Sequence, residues 1–99
     1  MRLTPTQSRL IVATVRQQLG AQATVFLFGS RLDDVAKGGD VDILVETDQQ
    51  PSLLERARIK MDLEALLLLP VDVLSIKRGA QPTAFQRVAM AKAVVLGEG

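Results

Sequence analysis

Residues 40–45 read Asp40-Val41-Asp42-Ile43-Leu44-Val45, and their alternation decides how the chain folds. Successive side chains of a β-strand point to opposite faces, so Asp40 and Asp42 share one face while Val41, Ile43 and Val45 share the other. The apolar face predicts a strand that packs on a core. Two neighbouring carboxylates at the edge of a core repel each other and are costly to desolvate, and a bound divalent cation removes both problems.

The chain on either side of this strand alternates between strand and helix patterns. Apolar strands are predicted over residues 24–28 and 71–76, with a short terminal strand over 94–96. Helices are predicted over residues 5–19, 30–36, 51–68 and 83–92. This alternation indicates an α/β (α+β) fold in which helices pack against a small mixed β-sheet, as one domain over residues 1–99. The pattern leaves the strand order open.

Two of the predicted helices carry specific signals. Thr4 followed by Pro5 predicts a helix start, and Gln7 completes a capping box. The helix over residues 51–68 is predicted from apolar residues at helical intervals, namely Leu54, Ala57, Met61, Ala65 and Leu68. The run Leu66–Leu69 is expected to belong to the core or to a partner interface.

The composition excludes several classes of function. Twelve basic and eleven acidic residues give a formal net charge of +1, and three Phe are the only aromatic residues, so no nucleic-acid surface is expected. Without Cys or His, a general base has to be a carboxylate or a lysine, and a metal has to be one that prefers oxygen ligands. The longest apolar run, Ala65–Leu69, is too short to cross a bilayer, and no signal segment is seen. We expect a soluble cytoplasmic protein.

Three features together indicate phosphoryl chemistry. Gly29-Ser30 stands where a strand passes into a helix, and the free N–H groups of a helix start bind anions such as phosphate. Asp72 interrupts an otherwise apolar strand, and if that strand lies beside Asp40–Val45, three carboxylates converge. Carboxylate and phosphate oxygens are the ligands of Mg²⁺, and such a site can hold two ions for an in-line displacement. A haloacid-dehalogenase-type phosphatase, another Asp-x-Asp chemistry, would need Thr or Val where Leu44 stands.

The motifs resemble those of the DNA polymerase β-type nucleotidyltransferases. Leu27-Phe28-Gly29-Ser30-Arg31, followed by the strand Asp40–Val45, is similar to the signature of their minimal (MNT) branch. The helix end Leu63–Leu66 followed by Val71–Leu74 also matches the layout of that family, and the resemblance covers roughly residues 25–96. It implies a polymerase β-like nucleotidyltransferase core.

The resemblance implies a nucleotide-binding role for the Gly-Ser turn. Gly29 and Ser30 would bind the triphosphate of ATP, and Arg31 would contact phosphate. The following loop departs from the family pattern, because Asp33 and Asp34 add negative charge beside the expected phosphate site. Lys37, in the same loop, would oppose that charge.

The resemblance also implies the metal and the catalytic residues. Asp40 and Asp42 would hold Mg²⁺, two ions being expected, and Asp72 would complete the metal site and help to deprotonate the acceptor. The chemistry would then be an AMP transfer from ATP to a hydroxyl group.

The acceptor is expected in another chain or in a second copy, because 99 residues leave little room for an acceptor-binding domain or a template channel. MNT proteins are often paired with HEPN-domain proteins, which are helical RNase toxins. The resemblance implies AMP transfer onto a tyrosine of such a toxin, with this chain as the antitoxin. Two alternatives stay open, a non-catalytic module that neutralises its partner by covering it, and transfer to a small molecule such as an aminoglycoside. The leucine-rich helix end also allows a homo-oligomer.

Overall fold

A computed structural model describes residues 4–28, 41–81, 83–84, 86–87 and 93–96. The elements in these ranges are α1 (Pro5–Leu19), β1 (Thr24–Phe28), β2 (Val41–Thr47), α2 (Leu53–Leu67), β3 (Val71–Lys77) and β4 (Val94–Val95). The three longer strands confirm the predicted ones to within two residues. The helix predicted over residues 30–36 lies outside the described residues. Neither α1 nor α2 has the length and apolar character that a membrane crossing requires.

The capping signals of α1 are confirmed. The Thr4 hydroxyl accepts a hydrogen bond from the Gln7 N–H at 3.1 Å, and the Gln7 side chain accepts one from the Thr4 N–H at 2.8 Å. The helix ends at Gly20, whose φ of 103° is a conformation that glycine adopts at little cost. Ile11 and Val15, on the predicted apolar face, are fully buried.

The start of the predicted last helix falls within the described residues. Thr83 and Gln86 exchange hydrogen bonds between side chain and backbone at 2.9 and 3.1 Å, and the Arg87 N–H donates to the Thr83 carbonyl at 2.9 Å. These bonds are those of a capped first helical turn. Most of the remaining residues of that predicted helix lie outside the described ranges.

The four strands form one mixed sheet in the order β3-β2-β1-β4. β1 pairs with β2 and with β4 in antiparallel fashion, whereas β2 and β3 are parallel. The parallel pair is joined through α2, because parallel neighbours need a crossover connection and cannot be linked by a tight turn. The predicted mixed sheet with helices packed against it is therefore confirmed.

Each face of the sheet carries its own apolar cluster. The larger cluster joins the inward residues of α1 and α2 to one sheet face, including Val25, Ile43 and Val71. The smaller cluster lies on the other face and consists of Phe28, Leu44 and Ile76 with partly buried neighbours. Residues 43 and 44 are both fully buried yet belong to different clusters, as the two-residue period of a strand requires.

The helix α2 is confirmed, but the stripe that predicted it faces outward. A capping box between Ser52 and Glu55 begins the helix, and the buried residues are Ile59, Leu63 and Leu67. The residues of the predicted stripe, Leu54, Ala57, Met61, Ala65 and Leu68, are all exposed. Within the run Leu66–Leu69, therefore, only Leu67 is buried in the core cluster.

Candidate active site

Two of the predicted acidic residues lie side by side on the parallel strands. Asp42 of β2 is in register with Asp72 of β3, and their neighbours on the same strands, Val41 and Val71, are buried on the opposite face. Strand geometry therefore places both carboxylates on the face of the smaller apolar cluster. Asp42 is half-buried, and the side chain of Asp72 is 62% exposed.

Both carboxylates line one cavity of about 420 Å³. Its lining consists of two acidic, one basic and three apolar side chains, namely Asp42, Asp72, Lys60, Phe28, Val73 and Leu74. The volume is within the usual range of small-ligand sites, roughly 300–1,000 Å³. The cavity lies where β1 ends and where β2 and β3 begin, since Phe28 is paired with Asp42 across the sheet.

Lys60 reaches this cavity from α2. Its ammonium group donates to the Val71 carbonyl at 2.5 Å and to Glu64 Oε2 at 3.1 Å, and it lies 3.9 Å from Asp72 Oδ1. Glu64 Oε2 also accepts the Val71 N–H at 2.9 Å. The two side chains thus satisfy both backbone groups of the first residue of β3 and fix the strand at the point where Asp72 follows.

The same contacts lower the pKa of Glu64 below its ordinary value. The largest cause is the hydrogen bond from the Val71 N–H, followed by the hydrogen bond from Lys60. Burial opposes these two effects, and the positive charge of Lys60 adds a smaller lowering of the pKa. The carboxylate form of Glu64 is therefore favoured, so the ion pair with Lys60 persists to a lower pH than an ordinary glutamate would allow.

The structure brings together Asp42 and Asp72 of the predicted site residues. Gly29, Ser30, Arg31 and Asp40 lie outside the described residues, as do the loop charges Asp33, Asp34 and Lys37. Within the described part of the chain, no group of three potential metal ligands is found. The third carboxylate of the predicted site, Asp40, directly precedes Val41 in the chain.

Lys60 and Glu64 are the functional candidates that the sequence reasoning missed. Their spacing of four residues on a helix is a recognisable ion-pair signal. The contact of Lys60 with β3 leaves no such signal, because it depends on how α2 crosses the sheet.

The donors at this cavity fit a hard divalent cation. Asp42 and Asp72 offer carboxylate oxygens, which Mg²⁺ prefers, and the cavity leaves room for phosphate oxygens and water to complete an octahedral shell. Both aspartates lie in one strand register, so a single ion could contact the two side chains.

A second cavity, of about 360 Å³, lies at the far end of β2 and has a different character. Its two acidic residues already have structural partners. Asp48 forms a 2.6 Å salt bridge with Arg78, and Glu55 belongs to the capping box of α2. This cavity therefore lacks the pair of in-register carboxylates that distinguishes the first.

Comparison with known proteins agrees with the fold and identifies the family. Residues 11–98 match the sequence model of the family described as polymerase beta, nucleotidyltransferase. The chain is 38% identical over 78 residues to the protein adenylyltransferase MntA of Thermococcus cleftensis, covering 75% of this chain and 78% of that protein.

Solved structures show the same architecture. One is a chain from the complex of tri-AMPylated HEPN toxin with MNT antitoxin of Shewanella oneidensis, with a TM-score of 0.72 and 20% identity, covering 91% of this chain and 68% of that one. Another, assigned as a minimal nucleotidyltransferase, has a TM-score of 0.63 and 27% identity, covering 93% of this chain and 95% of the other. The resemblance carried by the Gly-Ser and Asp-x-Asp motifs is confirmed: the chain belongs to the polymerase beta nucleotidyltransferase family, in its minimal branch.

Proposed function

We propose that this chain transfers AMP from ATP to a tyrosine hydroxyl of a HEPN-type toxin and thereby acts as the antitoxin of a toxin–antitoxin pair. The observation that carries the proposal is the register of Asp42 with Asp72 on one cavity wall, in a chain of the nucleotidyltransferase family. A relative named as a protein adenylyltransferase supports AMP as the transferred group. A solved complex of AMPylated HEPN toxin with MNT antitoxin supports the acceptor.

Asp42 and Asp72 would hold magnesium, together with Asp40, and two ions are expected. When bound, magnesium neutralises phosphate charge and favours in-line displacement at phosphorus. The residues Gly29, Ser30 and Arg31 are proposed to hold the triphosphate of ATP.

The reaction forms a bond between the acceptor oxygen and the α-phosphorus and breaks the bond to the β-phosphate oxygen, so pyrophosphate leaves. The acceptor proton is proposed to pass to the carboxylate of Asp72, which faces the cavity and is open to an incoming hydroxyl. Lys60 and Glu64 hold Asp72 in place through the start of β3.

The proposal is tested by incubating the purified chain with a HEPN-domain partner from the same genome, ATP and MgCl₂, and measuring the intact mass of both proteins. We expect AMP adducts on the partner, and we expect Asp42→Asn and Asp72→Asn each to slow adduct formation by about 100-fold or more. Asp62→Asn is the matched control, because Asp62 is an exposed carboxylate of α2 that does not line the cavity.

The same variants separate catalysis from simple covering of the toxin. Growth protection is measured in cells that express the HEPN partner with wild type or with the Asp42→Asn variant. Loss of protection by a variant that still binds its partner supports the enzyme. Full protection by that variant, with no adduct on the partner even with wild type, would establish the non-catalytic binder instead.

A further inference from the structure

The outward face of α2 carries large apolar side chains that no described part of the chain covers. Leu54, Met61 and Leu68 are 74%, 68% and 85% exposed, and they follow one another at intervals of seven residues. Two turns of an α-helix bring a side chain back to nearly the same direction, so Leu54 and Met61 share one face, and Leu68 follows directly after the last helical residue; these three residues are called the stripe. Ile59 and Leu63, on the opposite side of the helix, bury the core face.

The backbone conformation of Leu68, at the end of this stripe, lowers the stability of the isolated chain. Leu68 caps the helix with a φ of 58°, in the left-handed region that disfavours leucine. Since its side chain is 85% exposed, the folded chain gains little burial from it in return. A leucine at this position is accounted for if its side chain is covered by a second surface.

The residues of the stripe and the alanines beside it are arranged symmetrically about Met61. Ala57 and Ala65 stand four residues before and after it, and Leu54 and Leu68 stand seven residues before and after it. A helix that carries such a stripe can pair with an identical antiparallel helix, so that each leucine meets the other leucine and Met61 meets itself. The alanines between them let the two backbones approach closely.

The charged residues beside the stripe are complementary in the same antiparallel pairing of two identical helices. Arg58 precedes Met61 by three residues and Asp62 follows it by one, on the same flank of the helix. In the antiparallel arrangement Arg58 faces Asp62 of the second copy, and the symmetry makes this pair twice. Arg58 has no ion-pair partner among the described residues, and Asp62 uses one carboxylate oxygen for a 2.6 Å hydrogen bond from Gln18. A parallel pairing would place Arg58 against Arg58.

We propose that the outward stripe of α2 is a docking surface for a second copy of this chain, with the two α2 helices antiparallel and the two-fold axis at Met61. Such an interface is isologous, so it closes at a dimer. None of Leu54, Met61 and Leu68 lines the cavity of Asp42 and Asp72, so this cavity stays accessible in each copy of the dimer.

The contact is small, and we expect it to be a reversible one. The 15 residues of α2 span roughly 22 Å at 1.5 Å per residue. One helix pair of this length falls below the interface size of tight complexes, so a dissociation constant on the order of 100 μM is expected.

The first test is sedimentation equilibrium of the full chain from about 5 to 500 μM, without nucleotide, so its result does not depend on the proposed activity. We expect a monomer–dimer equilibrium. Met61→Glu should abolish it, and Arg58→Asp should weaken it by about tenfold or more, because it sets a new carboxylate against Asp62 of the second copy. Adding Asp62→Arg to Arg58→Asp should restore dimerisation, a rescue that loss of folding cannot imitate.

The second test uses the absence of cysteine from the chain. Met61→Cys places one thiol per chain at the proposed axis, and mild oxidation should link two copies through it. Leu54→Cys and Leu68→Cys should each link poorly alone, whereas a mixture of these two variants should link readily. A monomer at every concentration, or equal linking by all three variants, overturns the proposal. Occupation of the stripe only after a HEPN-domain protein is added also overturns it, because the docking surface then belongs to that partner.

Discussion

Lys60 sets a fixed positive charge beside the two aspartates of the cavity. Its ammonium group is held by the Val71 carbonyl and by Glu64 and lies 3.9 Å from Asp72 Oδ1. Because these contacts restrain it, the ammonium offsets part of the negative charge that attracts a cation to Asp42 and Asp72. Lys60 therefore has two opposing effects: it holds the start of β3 in place, and it lowers the affinity of the cavity for a cation.

Replacing Lys60 should separate these two effects. We expect Lys60→Met to raise the affinity of the nucleotide-free chain for Mn²⁺, a spectroscopic substitute for Mg²⁺, by roughly fivefold, because one partly screened charge at this distance is worth about 1 kcal/mol. The measurement is Mn²⁺ titration by electron paramagnetic resonance. Arg58→Met is the control, since it removes the same charge from α2 on its outward side. Equal effects of the two variants would show that only net charge matters.

Glu64 predicts how stability depends on pH. Its folded pKa lies below the ordinary value near 4.5, so the unfolded chain binds a proton more readily. The stabilisation is therefore complete well above pH 4.5 and is lost as the pH falls through the folded pKa. We expect Glu64→Gln to be less stable than wild type at about pH 7, with a difference that shrinks towards about pH 3. Urea unfolding midpoints across this range measure it, and a difference that stays constant with pH would contradict the assignment.

At the scale of helices and strands, short sequence patterns correctly predicted the features that depend on contacts between residues close together in the chain. The alternation correctly assigned the two faces of β2 over residues 41–45, and Thr4 with Gln7 correctly predicted the start of α1. These signals depend on residues a few positions apart. They agree with the structure because backbone geometry alone sets them.

The sequence patterns did not predict the features of helices and strands that depend on contacts between residues far apart in the chain. α2 has apolar residues on both sides, so its periodicity predicted a helix without showing that Ile59 and Leu63, rather than Leu54 and Met61, face the sheet. The sequence also did not show that β3 lies next to β2, and the predicted site assumed it. A parallel pair depends on the crossover through α2 and not on the sequence of the strand itself. Gly29, Ser30, Arg31 and Asp40, outside the described residues, stay predictions.

The C-cap of α2 offers a stabilising exchange. Leu68 has a φ of 58° and is 85% exposed, so Leu68→Gly should relieve backbone strain without loss of buried surface. We expect the free energy of unfolding to rise by about 0.5–1 kcal/mol. Urea denaturation at low micromolar concentration, where α2 is not paired, measures the change. Ala65→Gly, one turn earlier and exposed inside the helix, should lower stability by about 1 kcal/mol, so equal effects at both positions would refute the argument.

In the whole molecule, β2 carries both buried core residues and Asp42 of the proposed active site. It lies between β1 and β3, and its adjacent residues Ile43 and Leu44 are buried in different clusters on the two faces. The face under α1 and α2 carries the large core, while the face with Asp42 and Asp72 carries the small one. Within the described ranges, the cavity therefore lies on the face with fewer buried apolar residues, and we expect the larger cluster on the other face to supply most of the stability.

This division predicts a large effect of a small change at Ile43. Ile43→Ala leaves a cavity in the larger cluster and should lower the free energy of unfolding by about 2–5 kcal/mol, a large part of the roughly 5–15 kcal/mol that holds a typical domain together. Met61→Ala removes a side chain of similar size from the exposed side of α2 and should change the stability of the monomer by less than about 0.5 kcal/mol. Guanidinium unfolding of both variants at low micromolar concentration tests the pair. A small effect at Ile43 would mean that the cluster under α1 and α2 repacks freely, and the stability of the molecule would then have to come from the face that carries the cavity.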